Sequence, residues 1–153
     1  DTMRDMGRLQ GYGRHVHVYL NGLYWGMYIL TERPDEGFAA EHLSGKKSDY
    51  DVIKTDAAYW DGPEVIELVA GDLQAWDTLF ALAAEDLSVP ANYAAVQQYV
   101  DIPALIDYML MIFHNGSRDA PTLIGTITTP RNFYAIRKRE PGAGFLFLPW
   151  DVE

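Results

Sequence analysis

The 153-residue chain has no cysteine, which excludes thiolate metal sites and cysteine nucleophiles. It is also short of positive charge: 12 Lys and Arg stand against 22 Asp and Glu, for a formal net charge of −10. That field repels phosphate backbones and anionic lipid surfaces, so nucleic acid is not an expected partner. Long apolar runs are missing too. The best stretch, Leu105 to Phe113, is short and interrupted by Asp107, so no membrane span is expected. There is no glycine-rich phosphate loop, because Gly7, Gly11 and Gly13 are scattered around Arg8 and Arg14 in no standard pattern. A serine triad lacks its nucleophile elbow.

What is present suffices for one folded domain. Hydrophobic residues make up 48% and aromatics 13%, enough for a core without disulfides or a structural metal. The acidity suits solubility or recruitment of a basic partner. Asp1 to Gln10 hold charges where a signal peptide would hold an apolar core, and Glu153 closely follows the apolar run Phe145 to Trp150. The expectation is a single domain over 1–153, truncated at both ends relative to a longer protein.

Local patterns outline the elements. His15 to Leu20, Asn21-Gly22 and Leu23 to Leu30 read as a β-hairpin, with Gly26 marking a bulge or a close approach. Asp35 caps a helix running to about His42 that ends at Ser44-Gly45. After the polar loop Lys46 to Asp49, Tyr50 to Lys54 reads as a short strand, then an irregular stretch through Gly62-Pro63. Leu73, Trp76, Leu79, Phe80 and Ala83 recur at helical spacing, predicting a helix over 72–85. Tyr93, Val96 and Tyr99 begin another helical pattern beyond Pro90. Asp101 and Pro103 open a helix from Ala104 to Phe113 that is apolar on most sides and expected to be buried. His114 to Pro121 is a loop, and Thr122 to Pro130 reads as an extended surface excursion. Asn132 to Arg139 and Phe145 to Trp150 flank Glu140-Pro141-Gly142-Ala143-Gly144 and form a second hairpin. The fold class is α+β, with antiparallel β-hairpins packed with helices.

Chemistry concentrates in the C-terminal third. Asp119 follows the apolar helix, Asn132 opens one hairpin strand and Asp151 closes the other. Antiparallel strands bring the start of one and the end of the next to the same edge, so Asn132 and Asp151 can be neighbours. If Asp119 returns to that edge, three hard oxygen donors converge, as Mg²⁺ held with nucleotide phosphates requires. A loop aspartate and a turn asparagine explain the same pattern without chemistry. Lys54, at the end of a short apolar strand, could reach phosphates or be an exposed strand-end lysine, and Glu32 could be its ion-pair partner or a rim charge. His15 and His17 share a strand face without an evident third metal ligand. Asp119 and Asp151 facing each other across a cleft at roughly 5 to 10 Å would instead suit a two-carboxylate glycoside hydrolase.

Three separated segments resemble one family. Tyr19 to Arg33, with the core Tyr19-Leu20-Asn21-Gly22-Leu23-Tyr24-Trp25-Gly26, is similar to the signature hairpin of the CotH family, the spore coat protein H group of atypical kinases. Asn132-Phe133-Tyr134-Ala135 and Phe147-Leu148-Pro149-Trp150-Asp151-Val152-Glu153 resemble its asparagine-aromatic strand and its Trp-Asp-x-acid motif, in the family's order. The resemblance implies a strongly diverged protein-kinase-like fold that uses ATP with Mg²⁺ or Mn²⁺ to phosphorylate serines of proteins. Its implied substrates are basic, Ser-rich coat proteins, and its implied setting is the spore coat or cell surface. It assigns Asp119 as catalytic base, Asn132, Asp151 and Glu153 as metal ligands, and Lys54 as the nucleotide lysine. The chain departs from the pattern in the 13 positions from Asp119 to Asn132, where the family has a short step. A catalytically inactive coat or cell-surface binding module of the same fold is the alternative.

Overall fold

In the computed structural model, residues 2–56, 65–117 and 132–150 are described. A short helix α1 (Thr2–Asp5) precedes the strands β1 (Gly13–Leu20) and β2 (Leu23–Thr31). They pair with each other as a two-stranded antiparallel sheet. Asn21 and Gly22 take φ of 49° and 83°, the left-handed pair that a two-residue hairpin turn requires. The register slips by one residue between Val18/Gly26 and Tyr19/Tyr24, leaving Trp25 as the extra residue. Gly26, at φ 141°, absorbs the distortion, so the bulge expected at this glycine is present.

Asp35 caps α2 (Glu36–Leu43) by accepting the Phe38 N–H at 2.9 Å. A one-turn 3₁₀ segment, Lys47–Asp49, leads into β3 (Tyr50–Asp56), followed by β4 (Val65–Ala70), α3 (Gln74–Ala83), α4 (Pro90–Val96), α5 (Ile102–Asn115), β5 (Phe133–Lys138) and β6 (Leu146–Pro149). β4 lies in the part of the chain that the sequence pattern leaves beyond the β3 strand. The main sheet has the order β4-β3-β5-β6, with every neighbouring pair antiparallel.

Strand alternation gives this sheet two apolar faces. Ile53, Phe133, Ala135 and Phe147 pack with Trp76 and Leu79 of α3 and with Tyr108, Met111 and Ile112 of α5. Tyr50, Val52, Tyr134, Ile136 and Leu148 pack with Phe38 and Ala39 of α2. The centre of the sheet is covered on both sides, which is why Phe133 to Ile136 are buried in succession.

Asp101 caps α5 through the Ala104 N–H at 2.9 Å, and Gly116, left-handed at φ 63°, ends it. The helix is not buried on most of its sides, which corrects the reading of its sequence. Ile106, Leu110 and Phe113 are 53%, 55% and 59% exposed, and their i, i+4, i+7 spacing sets them on one face. An apolar helix shows which residues avoid water but not which of its faces finds a partner. On the inner face the Tyr108 hydroxyl is buried without a hydrogen-bond partner among the described residues, and burial pushes the phenol's pKa up. Tyr108→Phe removes that orphan and should leave stability unchanged or raise it by about 1 kcal/mol in a thermal melt.

Among the described residues, no helix is long and apolar enough to cross a membrane.

Candidate functional site

The β5–β6 register pairs Phe133 with Pro149. One step further out, the Trp150 N–H donates to the Asn132 carbonyl at 3.0 Å. Antiparallel pairing therefore carries Asn132 to the residue that immediately precedes Asp151. Asn132 is partly buried and left-handed at φ 56°, a conformation asparagine tolerates better than most residues. Its backbone thus accounts for asparagine here independently of any ligand, and an amide oxygen at this edge also suits a hard divalent cation.

Asp119, Asp151 and Glu153 lie outside the described residues. Of the expected metal ligands, Asn132 alone is described. Among the described residues, no group of three or more His, Asp or Glu side chains could hold a metal. His15 and His17 are exposed on β1, and His17 Nδ1 lies 3.2 Å from the Tyr24 hydroxyl.

Lys54 sits on the α2 face of β3, opposite Tyr134 of β5 and Glu67 of β4. Its Nζ is 2.8 Å from Glu67 Oε2, with only 17% of the lysine side chain exposed. Lys54 thus forms an ion pair with Glu67, where the sequence leaves open whether Glu32 is its partner or a rim charge. The reason is register: Glu67 belongs to a strand that the sequence pattern did not reveal, and it lands directly across from the lysine. Glu32 follows β2 and is held there by the Tyr12 N–H at 2.8 Å and by His42 Nε2 at 3.3 Å.

Three further residues join this face. Arg33 is exposed, and its hydrogen bond with the Tyr134 hydroxyl raises its pKa above the ordinary guanidinium value, with smaller contributions from the Glu67 and Asp35 carboxylates. Tyr134 is 2% exposed, and its ring meets that of Trp150 nearly at right angles, 5.3 Å between centroids. Lys54 pairs with Glu67, and separately Arg33 bonds Tyr134, whose ring meets that of Trp150, the backbone partner of Asn132. Two cations, one carboxylate and an amide at a sheet edge can hold an anionic group and orient it. Glu67 had no local signal that marked it, and Arg33 and Tyr134 stand in the resembling segments without a role there, since strand pairing is what brings them together.

Beside Trp150 opens a cavity of about 600 Å³ between the base of β1–β2, the C-terminal half of α5 and the end of β6. Gln10, Ile29, Glu32, Met111, Asn115 and Trp150 are among its walls.

On the opposite face of the sheet, Asp51 forms a different cluster. The carboxylate is 2% exposed and accepts from Arg139 Nε at 2.6 Å, from the Asp72 N–H at 3.0 Å and from Arg137 at 3.4 Å. Its partners are all supplied from within the fold, so it reads as an ionic lock of the β3–β5 corner.

The fold and the lysine-bearing and asparagine-bearing strands define an α+β domain with a mixed-charge edge at its C-terminal hairpin. The chain belongs to the CotH kinase family: the family model for CotH kinase protein matches residues 1–153. No curated protein matches the chain.

Proposed function

We propose that this chain is an ATP- and divalent-metal-dependent protein kinase-like domain, diverged from the protein-kinase fold, that transfers phosphate to serine hydroxyls of a protein acceptor. The observation that carries the reading is the closure of the β5–β6 hairpin. The Trp150 N–H reaches the Asn132 carbonyl at 3.0 Å, next to Asp151 in sequence, in a chain of the CotH family. Asn132, Asp151 and Glu153 are the residues that would hold Mg²⁺ or Mn²⁺, and the metal supplies charge neutralisation on the phosphates when bound.

The chain's own residues do the rest. Lys54, oriented by Glu67, attracts the phosphates, and Asp119 takes the proton of the acceptor serine. The serine oxygen then bonds to the terminal phosphorus as the bond to the ADP oxygen breaks. A net charge of −10 favours a basic, Ser-rich acceptor of the coat or cell-surface kind.

Incubation of the intact protein with labelled ATP, Mg²⁺ or Mn²⁺ and a basic Ser-rich acceptor should give transfer that Asp151→Ala abolishes. Asn132→Gly keeps the left-handed backbone and removes only the amide, so it should stay folded and lose most transfer. Equal transfer by Asp151→Ala would refute the assigned site. No ATP binding by the intact protein, alongside tight binding to a coat or surface protein, would favour a binding module without turnover.

A further inference from the structure

The hairpin β1–β2 stands apart from the rest of the fold. Among the described residues its strands pair only with each other, and neither core takes a side chain from them. We propose that the outer edge of β1 pairs antiparallel with β1 of a second copy of this chain, making one four-stranded sheet across a two-fold axis. The contact uses none of the residues assigned to phosphate transfer.

A two-stranded ribbon alone is marginally stable in water, and a third strand or a covered face is what makes such a sheet hold. The register sets Arg14 opposite Leu30, Val16 opposite Tyr28, Val18 opposite Gly26 and Leu20 opposite Leu23, so apart from Arg14 one face of the ribbon is apolar throughout. Leu20, Leu23, Tyr28 and Leu30 on that face are 47–73% exposed. A contiguous apolar surface of this kind marks a site of association.

The two edges are not equivalent. The edge of β2 is broken by the bulge at Trp25 and Gly26, a device that turns an edge away from further pairing. β1 is regular over Gly13–Leu20 and carries no proline, lysine or acidic residue, the side chains that otherwise protect an edge. Antiparallel pairing of a strand with its own copy is self-complementary about a two-fold axis. Setting Val16 beside Val18 of the second copy, with Leu20 over the aliphatic stem of Arg14, keeps the apolar face continuous. That register brings His17 opposite its own copy.

Charge selects the occupant. Residues 13–31 hold one of the 12 basic residues and none of the 22 acidic ones, which leaves −11 on the rest of the chain. An acidic partner or an anionic membrane is repelled by that body, and a basic strand finds no carboxylate on the ribbon. A second β1 is neutral except for Arg14, and antiparallel pairing sends the two acidic bodies to opposite ends of the seam. Eight strand residues span about 26 Å, roughly three Debye lengths at physiological salt.

Sedimentation of the intact protein from about 1 to 100 µM should show a monomer–dimer equilibrium with a roughly micromolar constant, as suits an interface at the small end of the specific range. His17→Lys places two lysines across the axis and should weaken association by about tenfold or more, with an unchanged melting temperature. Because the chain has no cysteine, single-cysteine variants report the seam directly. His17→Cys should cross-link to its own copy on mild oxidation, whereas Ile29→Cys, on the far strand of the ribbon, should not. A monomer at every concentration, undiminished association of His17→Lys, or equal cross-linking of Ile29→Cys overturns the proposal. A monomer that floats with phosphatidylcholine vesicles overturns it too, and assigns the ribbon to a lipid surface.

Discussion

Asp51→Ala should lower stability by about 3–5 kcal/mol in urea unfolding, because it leaves a charge buried without its partner. Arg137 is the group left behind. Its side chain is 13% exposed, lies over the Tyr99 ring at 5.7 Å and donates to the Ala143 carbonyl at 2.9 Å. None of those contacts supplies a countercharge. The same change frees the Asp72 N–H, which donates to Asp51 at 3.0 Å.

The neighbourhood is built for the carboxylate. A Cβ on Gly71 would fall 2.3 Å from Asp51 Oδ1 at a φ of +83°, so only glycine leaves room. Against a typical total of about 5–15 kcal/mol, the expected loss is about a fifth or more of the stability. Asp51→Asn keeps an acceptor for the Asp72 N–H and should cost about half as much. Arg139→Ala removes the shortest bond to the buried Asp51 carboxylate but leaves it Arg137 and the Asp72 N–H, so it should cost less than Asp51→Ala, about 1–3 kcal/mol. A loss under 1 kcal/mol for Asp51→Ala would show that the two arginines are adequately solvated without it.

How far the fold could be read from the sequence depends on how far apart the deciding residues lie. Asn21-Gly22, Asp35 and the Asp101–Pro103 start act within a few positions through backbone chemistry, and each stands where the pattern put it. Gly26 was legible for the same reason. Val65 to Ala70 was not, because its pairing with β3 carries a register slip between Val52 and Ile53 that breaks the simple alternation. With β4 unseen, Glu67 could not be assigned to Lys54. The exposed face of α5 escaped for a related reason, since coverage is decided by what packs against the helix. At the site, Asn132 and Lys54 were readable from motif and strand position. The meeting of Arg33 with Tyr134 was not, because it exists only after β2 and β5 are brought together. Asp119, Asp151 and Glu153 lie outside the described residues and rest on their motifs.

Trp76→Ala should cost about 3–5 kcal/mol, as loss of a large core aromatic does. Trp76 is 5% exposed and its ring neighbours Phe80, Phe145, Phe147 and Phe133 at 4.9, 5.3, 6.1 and 6.2 Å. Four aromatic neighbours add pair interactions to the burial of the indole itself. Phe133 and Phe147 are strand residues of β5 and β6, so Trp76 supports the hairpin from one face while Tyr134 and Trp150 meet on the other. Support and the proposed chemistry are thus separated by the thickness of one sheet. Trp76→Phe refills part of the space and should cost about 1–2 kcal/mol, with ATP binding close to wild type below its melting temperature. If Trp76→Phe melted normally but failed to bind nucleotide, the separation would be wrong and the aromatic cluster would belong to the site itself.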